Sequence, residues 1–151
     1  MTAKMAVVAH GGAGSGPARQ TNLQVAVDLA SKLLLSGASA VEAAVEACVI
    51  LEDDPVFNAG TGGVFRIDGS VLLDASIQTS DGRIGFVIAM KETPNPIRVA
   101  ADLLDHNING LTGDGARSWA DDKGHLRRHV DGRPPTEGDG DTVGIIVRDS
   151  S

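Results

Sequence analysis

The sequence predicts an α+β domain, on three observations. Apolar residues recur at helical spacing through the first third of the chain, switch after Gly63 to short apolar runs broken by turn residues, and return to helical spacing after Asn95-Pro96. That order, helices grouped, then strands, then helix, fits layered α+β packing better than alternating βαβ units. The length of 151 residues suits one domain, 1–151, large enough to bury a core.

Composition narrows the function classes. Thirteen Lys and Arg against twenty Asp and Glu leave a formal charge of -7, which repels phosphate backbones and anionic lipid, so neither nucleic acid nor membrane is expected as a partner. No apolar run reaches the roughly eighteen residues of a membrane span, and the first residues carry no signal-peptide pattern, which gives a cytoplasmic expectation. The single cysteine, Cys48, sits on the apolar face of a predicted helix and is read as packing.

Taken in order, Met5 to Ala9 reads as a strand that runs into the glycine-rich His10-Gly11-Gly12-Ala13-Gly14-Ser15-Gly16-Pro17. This loop fails as a dinucleotide fingerprint, because Pro17 stands where a glycine is needed, and as a P-loop, because no Lys follows Gly16. His10 reads as a hydrogen-bonded structural histidine. Leu23, Ala26, Val27, Ala30, Leu33 and Leu34 trace a helix that stops at Gly37. Ser39 and Glu42 form a capping box for a second helix with the stripe Val41, Ala44, Val45, Cys48 and Val49. Val64 to Ile67 and Val71 to Leu73 flank the turn Asp68-Gly69-Ser70 and predict a hairpin, and Ile84 to Met90 a further strand. Asn95-Pro96 opens a third helix with Ile97, Ala100, Leu103 and Leu104 inward. A short helix is expected over Gly115 to Ala120, and a charged Gly/Pro/Asp-rich segment, about 121–141, reads as a mobile linker. Its acids Glu137, Asp139 and Asp141 lack the calcium-loop pattern.

Gly138-Asp139-Gly140-Asp141-Thr142-Val143-Gly144 then runs into the strand residues Ile145-Ile146-Val147. Cleavage of the Asp141-Thr142 bond would give Thr142 a free α-amine beside its own Oγ1, so that one residue supplies both nucleophile and base. The turn Asp149-Ser150-Ser151 follows at once, which predicts that this strand's hairpin partner belongs to a longer protein.

His10-Gly11-Gly12-Ala13-Gly14, Leu51-Glu52-Asp53-Asp54-Pro55-Val56-Phe57-Asn58-Ala59-Gly60, Leu73-Asp74-Ala75-Ser76, Asn95-Pro96-Ile97 and Gly140-Asp141-Thr142-Val143-Gly144 occur in the order of one family. The chain resembles the plant-type asparaginases and isoaspartyl peptidases, N-terminal nucleophile hydrolases. The resemblance implies a four-layer αββα sandwich, of which this chain supplies about half. It also implies autocleavage into an α-subunit, 1–141, and a β-subunit that starts at Thr142. It implies hydrolysis of L-asparagine or β-aspartyl dipeptides without a redox cofactor, and a homodimer of αβ units whose further β segment is not in this sequence. Thr142 matches the nucleophile and Asn58 an asparagine beside it. Main-chain carbonyls of Leu51, Glu52, Asp54, Phe57, Ala59 and Thr61 match a sodium site, and carbonyl oxygens suit a hard cation. Two features depart from the family: the turn Gln78-Thr79-Ser80-Asp81-Gly82 and the bulky strand Gly85-Phe86-Val87-Ile88. Asp before the threonine resembles glycosylasparaginase, which remains an alternative. A silent fragment that acts as scaffold for a separate β part is another.

Overall fold

The computed structural model describes residues 4–14, 16–136 and 142–150. Within these it is a mixed α and β structure with two small sheets. Strand β1 (Ala6–His10) leads to helices α1 (Gln20–Leu35) and α2 (Ala40–Asp53). Strands β2 (Leu73–Gln78) and β3 (Ile84–Met90) precede α3 (Pro96–Asp102), β4 (Gly110–Thr112), α4 (Gly113–Asp122) and β5 (Gly144–Arg148). Among the described residues no helix is long and apolar enough to cross a membrane.

The helix ends follow from local chemistry. Ser36 caps α1, and Gly37 adopts φ 94°, so that Gly37 N–H bonds Leu34 O and Ala38 N–H bonds Leu33 O, a Schellman closure. The Ser39 hydroxyl accepts the Glu42 N–H at 3.2 Å and starts α2. A second acceptor comes from far along the chain: Asp149 Oδ2 takes the Ala40 N–H at 2.9 Å, which joins the end of β5 to this helix. Pro96 occupies the first turn of α3, where its missing N–H costs nothing.

Helix α2 is buried on two sides, whereas a single stripe was expected. Ala43, Ala47 and Leu51 pack with Ala26, Ala30 and Leu34 of α1, with Val7, Ile145 and Val147 of the strands against them. Val45 and Val49 pack with Ile97 of α3, joined by Ala75 and Ile77 of β2. The alanines on facing turns let α1 and α2 approach closely.

The first sheet is the antiparallel pair β1–β5, with Ala6 opposite Arg148 and His10 opposite Gly144. The second runs in the order β2–β3–β4, antiparallel and then parallel. Strand β3 is therefore flanked on both sides by strands of this chain. The β3–α3–β4 connection is the one βαβ unit among the described residues. Val87, Val99, Ala100, Leu103, Ala116 and Ala120 form the core between this sheet and helices α3 and α4. Gly85 is needed there, because a Cβ at that position would meet the Ala100 carbonyl oxygen.

Three further expectations change. The 64–73 hairpin is a turn only: Arg66 N–H bonds Ser70 O at 2.8 Å, but Val64 bridges to Arg133 and Ile67 lies in solvent. The short helix is longer than 115–120, so Asp121 and Asp122 close α4 rather than open a linker. Residues 123–136 have no regular element but are fastened: Arg128 N–H bonds Glu92 O, and the buried Arg117 donates to Thr93 Oγ1 at 2.6 Å and to His125 O at 3.3 Å. Glu137, Asp139 and Asp141, with the rest of the predicted linker, lie outside the described residues.

Candidate active site

The loop that leaves α2 carries most of the candidate residues. Asp54 ends the helix, and its carboxylate accepts Asn22 Nδ2–H at 2.7 Å and Val56 N–H at 3.0 Å, which fixes the exit direction. Phe57 then inserts fully into the core between α1 and α2. With Phe57 held, Asn58 follows at the surface of that core, and its Oδ1 accepts the Val64 N–H at 3.3 Å. Thr142 stands two residues before β5, whose register is set by pairing with β1.

Thr142 and Asn58 line one cavity of about 780 Å³. Glu52, Arg66, Asp74 and Ser76 supply the rest of its polar wall. The bulky β3 residues Phe86 and Ile88 line it as well, with Ile88 49% exposed. Asp74 Oδ1 accepts the Ala89 N–H at 2.7 Å where the β2–β3 register shifts between Leu73 and Ala75. Ala89 has φ 57°, a left-handed conformation costly for a residue with a Cβ, held here by the carboxylate. Cys48 also borders the cavity, but burial pushes its thiol up, away from reactivity at neutral pH. His10 Nδ1 accepts the Gly12 N–H at 3.1 Å, as a structural histidine would.

The six residues matched to a sodium site lie along one tight stretch. Leu51 and Glu52 end α2, Phe57 and Ala59 are buried, and Thr61 sits in the single turn Gly60–Gly62. A Cβ on Gly60 would meet the carbonyl oxygens of Glu52 and Pro94, and one on Gly62 those of Phe57 and Pro55. Of the six carbonyls, those of Glu52 and Phe57 thus lie close to these glycines, while those of Asp54 and Ala59 accept the N–H groups of Phe57 and Gly62. Among the described residues no cluster of His, Cys, Asp and Glu side chains offers an alternative metal site.

The Glu52 side chain is the functional group that sequence reasoning missed. It is only 3% exposed, and Oε1 accepts the Ile97 N–H at the start of α3, at 3.1 Å. Burial pushes its pKa up to about 8, against the pull of the Ile97 N–H and Asn95. Its place in line with Val45 and Val49, at i, i+4 and i+7, was a readable signal of a buried carboxyl.

Comparison with known proteins decides the family. The sequence model described as Asparaginase (Asparaginase_2) matches residues 3–133. The chain belongs to this asparaginase family. An isoaspartyl peptidase/L-asparaginase of Mus musculus is 36% identical over 128 residues, which is 80% of this chain and 39% of that protein. A plant-type L-asparaginase of Pyrococcus horikoshii is 38% identical over 126 residues, 77% of this chain and 40% of that protein. An isoaspartyl peptidase/L-asparaginase of a Nostoc species is 43% identical over 103 residues, 62% of this chain and 32% of that protein. This asparaginase-family chain therefore spans well under half the length of these relatives. Thr142 follows the stretch matched to the family.

Glu52 gives the site its first test. Glu52→Ala removes the acceptor of the Ile97 N–H and leaves a void, and should cost about 2–4 kcal/mol in denaturant unfolding. Glu52→Gln keeps an acceptor and should cost about 1 kcal/mol or less. Equal losses in the two variants would contradict the capping role.

Proposed function

We propose that this chain is part of an amidohydrolase of the N-terminal threonine type, acting on L-asparagine or β-aspartyl dipeptides, with Thr142 as nucleophile. The observation that carries the reading is that Thr142 and Asn58, far apart in sequence, line one cavity in a chain of the asparaginase family.

Activation begins with the chain itself. Thr142 Oγ1 attacks the carbonyl carbon of Asp141, and the hydroxyl proton passes to the Thr142 nitrogen as the C–N bond breaks. Water then hydrolyses the Asp141 ester, leaving an Asp141 carboxylate and a Thr142 with free hydroxyl and amine. In turnover the amine takes the Oγ1 proton, and the oxygen attacks the side-chain amide or isopeptide carbon. The proton goes on to the leaving nitrogen, so that ammonia or an amino acid departs. Water releases aspartate from the acyl-threonine.

Asn58 is assigned the role of a polar group beside the reacting hydroxyl, on the cavity wall that both residues share. A sodium ion held by the carbonyls of Leu51, Glu52, Asp54, Phe57, Ala59 and Thr61 would supply a fixed positive charge that orders the Asn58 loop. The whole enzyme would be an αββα sandwich. Val8 and Ile146, paired across the first sheet, are 60% and 73% exposed, and one edge of β5 is unpaired within the described residues. A further β-subunit segment would cover these surfaces, in a homodimer of αβ units.

Expressed with its native downstream sequence, the protein should release ammonia from asparagine or an amino acid from β-aspartyl dipeptides. Thr142→Ala should lower kcat at least about a thousandfold; equal activity in the two would contradict the reading. Light scattering on the same preparation should give the mass of a dimer of αβ units, and a single αβ unit would contradict that assembly.

A further inference from the structure

We propose that residues Val130–Arg133 are a docking anchor that positions the segment leading to the Asp141-Thr142 bond for self-cleavage. The proposal rests on the threonine reading above and adds positioning residues that act only before the enzyme matures.

Three contacts make the anchor. Val130, 7% exposed, packs between Val71 and Leu73. The Arg133 main chain bonds in both directions, its N–H to Gly63 O and its carbonyl from Phe65 N–H, each at 3.0 Å, as a parallel bridge to Val64. Gly132 turns the chain into that bridge with φ 65°, and a Cβ there would meet Val71 Cγ2 and, at 2.8 Å, the Gly63 carbonyl oxygen. Only glycine satisfies both the conformation and the approach.

The anchor's location gives it meaning. Gly63, Val64 and Phe65 line the cavity that Thr142 and Asn58 share, and the Val64 N–H is the group that holds Asn58 Oδ1. One face of this short stretch thus serves the candidate site while its main chain grips the approaching segment. From Arg133 to Thr142 only residues 134 to 141 intervene, eight in all. A free linker over 121–141 would search a large volume, whereas eight residues tied at the cavity wall raise the effective concentration of the scissile peptide there. The contact is spent once the bond is cut, so turnover by the mature enzyme should not depend on it.

The test uses the full-length protein made by cell-free translation and sampled over time by intact mass. Two variants are compared with wild type: Gly132→Ala, which displaces the anchor, and an eight-residue Gly/Ser insertion after Thr136, which keeps it but doubles the tether. Each should slow formation of the Thr142 N-terminus about two- to threefold, as loop length predicts. Each should keep wild-type kcat and KM once processed. Thermolysin should cut before Val130 slowly in the wild type and the insertion variant, where that side chain stays buried, and quickly in Gly132→Ala. A wild type that is cut, matched in rate by both variants, overturns this proposal alone; so does an equal fall in kcat, which would mean general structural damage. A full-length wild type that never cuts overturns the threonine reading and this proposal with it.

Discussion

The hydrogen bond from the Ile97 N–H to the buried Glu52 carboxyl is the constraint on which the arrangement depends. It joins the last turn of α2 to the first turn of α3, and so joins two cores that otherwise share few residues. A carboxyl there is costly to ionise, and burial pushes its pKa up to about 8. Around it Val45, Val49 and Ile97 fill the remaining space, and the Arg98–Glu46 ion pair, with contacts of 2.6 and 2.9 Å, latches the exposed side. An exposed pair of this kind adds at most about 1 kcal/mol, so the buried contacts set the geometry.

From that joint the candidate site follows. The loop carrying Asn58 starts where α2 ends, and the wall made by β2 and β3 rests on α3. Strand β5 lies along the other side of α2: Asp149 meets Ala40 at the helix start, while Val143 and Thr142 reach the cavity that Glu52 borders. Helix and strand run in opposite directions. One helix thus brings both residues assigned to the chemistry to its C-terminal end.

The local grammar was legible where it depends on backbone chemistry. Gly37, Ser39 and Asn95-Pro96 marked helix ends that the structure contains, and Ile84 to Met90 is the strand β3. Long-range pairing was not legible. Val64 and Val71 looked like hairpin partners, yet Val64 pairs with Arg133, through main-chain groups that composition does not register. The same blindness hid the contacts of Val130 and Arg133 within a charged, glycine-rich segment. Strand β4 has three residues, too few for any period to show. At the site, Thr142 and Asn58 stood out as motif residues, and their meeting around one cavity required the fold. Glu52 was read only for its carbonyl, because a glutamate near a helix end is ordinarily taken as solvated.

The central claim is that Thr142 becomes the nucleophile of this cavity, and covalent trapping tests it most directly. The full-length protein is incubated with an electrophilic asparagine analogue and mapped by peptide mass. The account predicts one adduct, on a peptide whose first residue is Thr142. Labelling of Cys48 or of another hydroxyl residue, with Thr142 unmodified or still joined to Asp141, would contradict it.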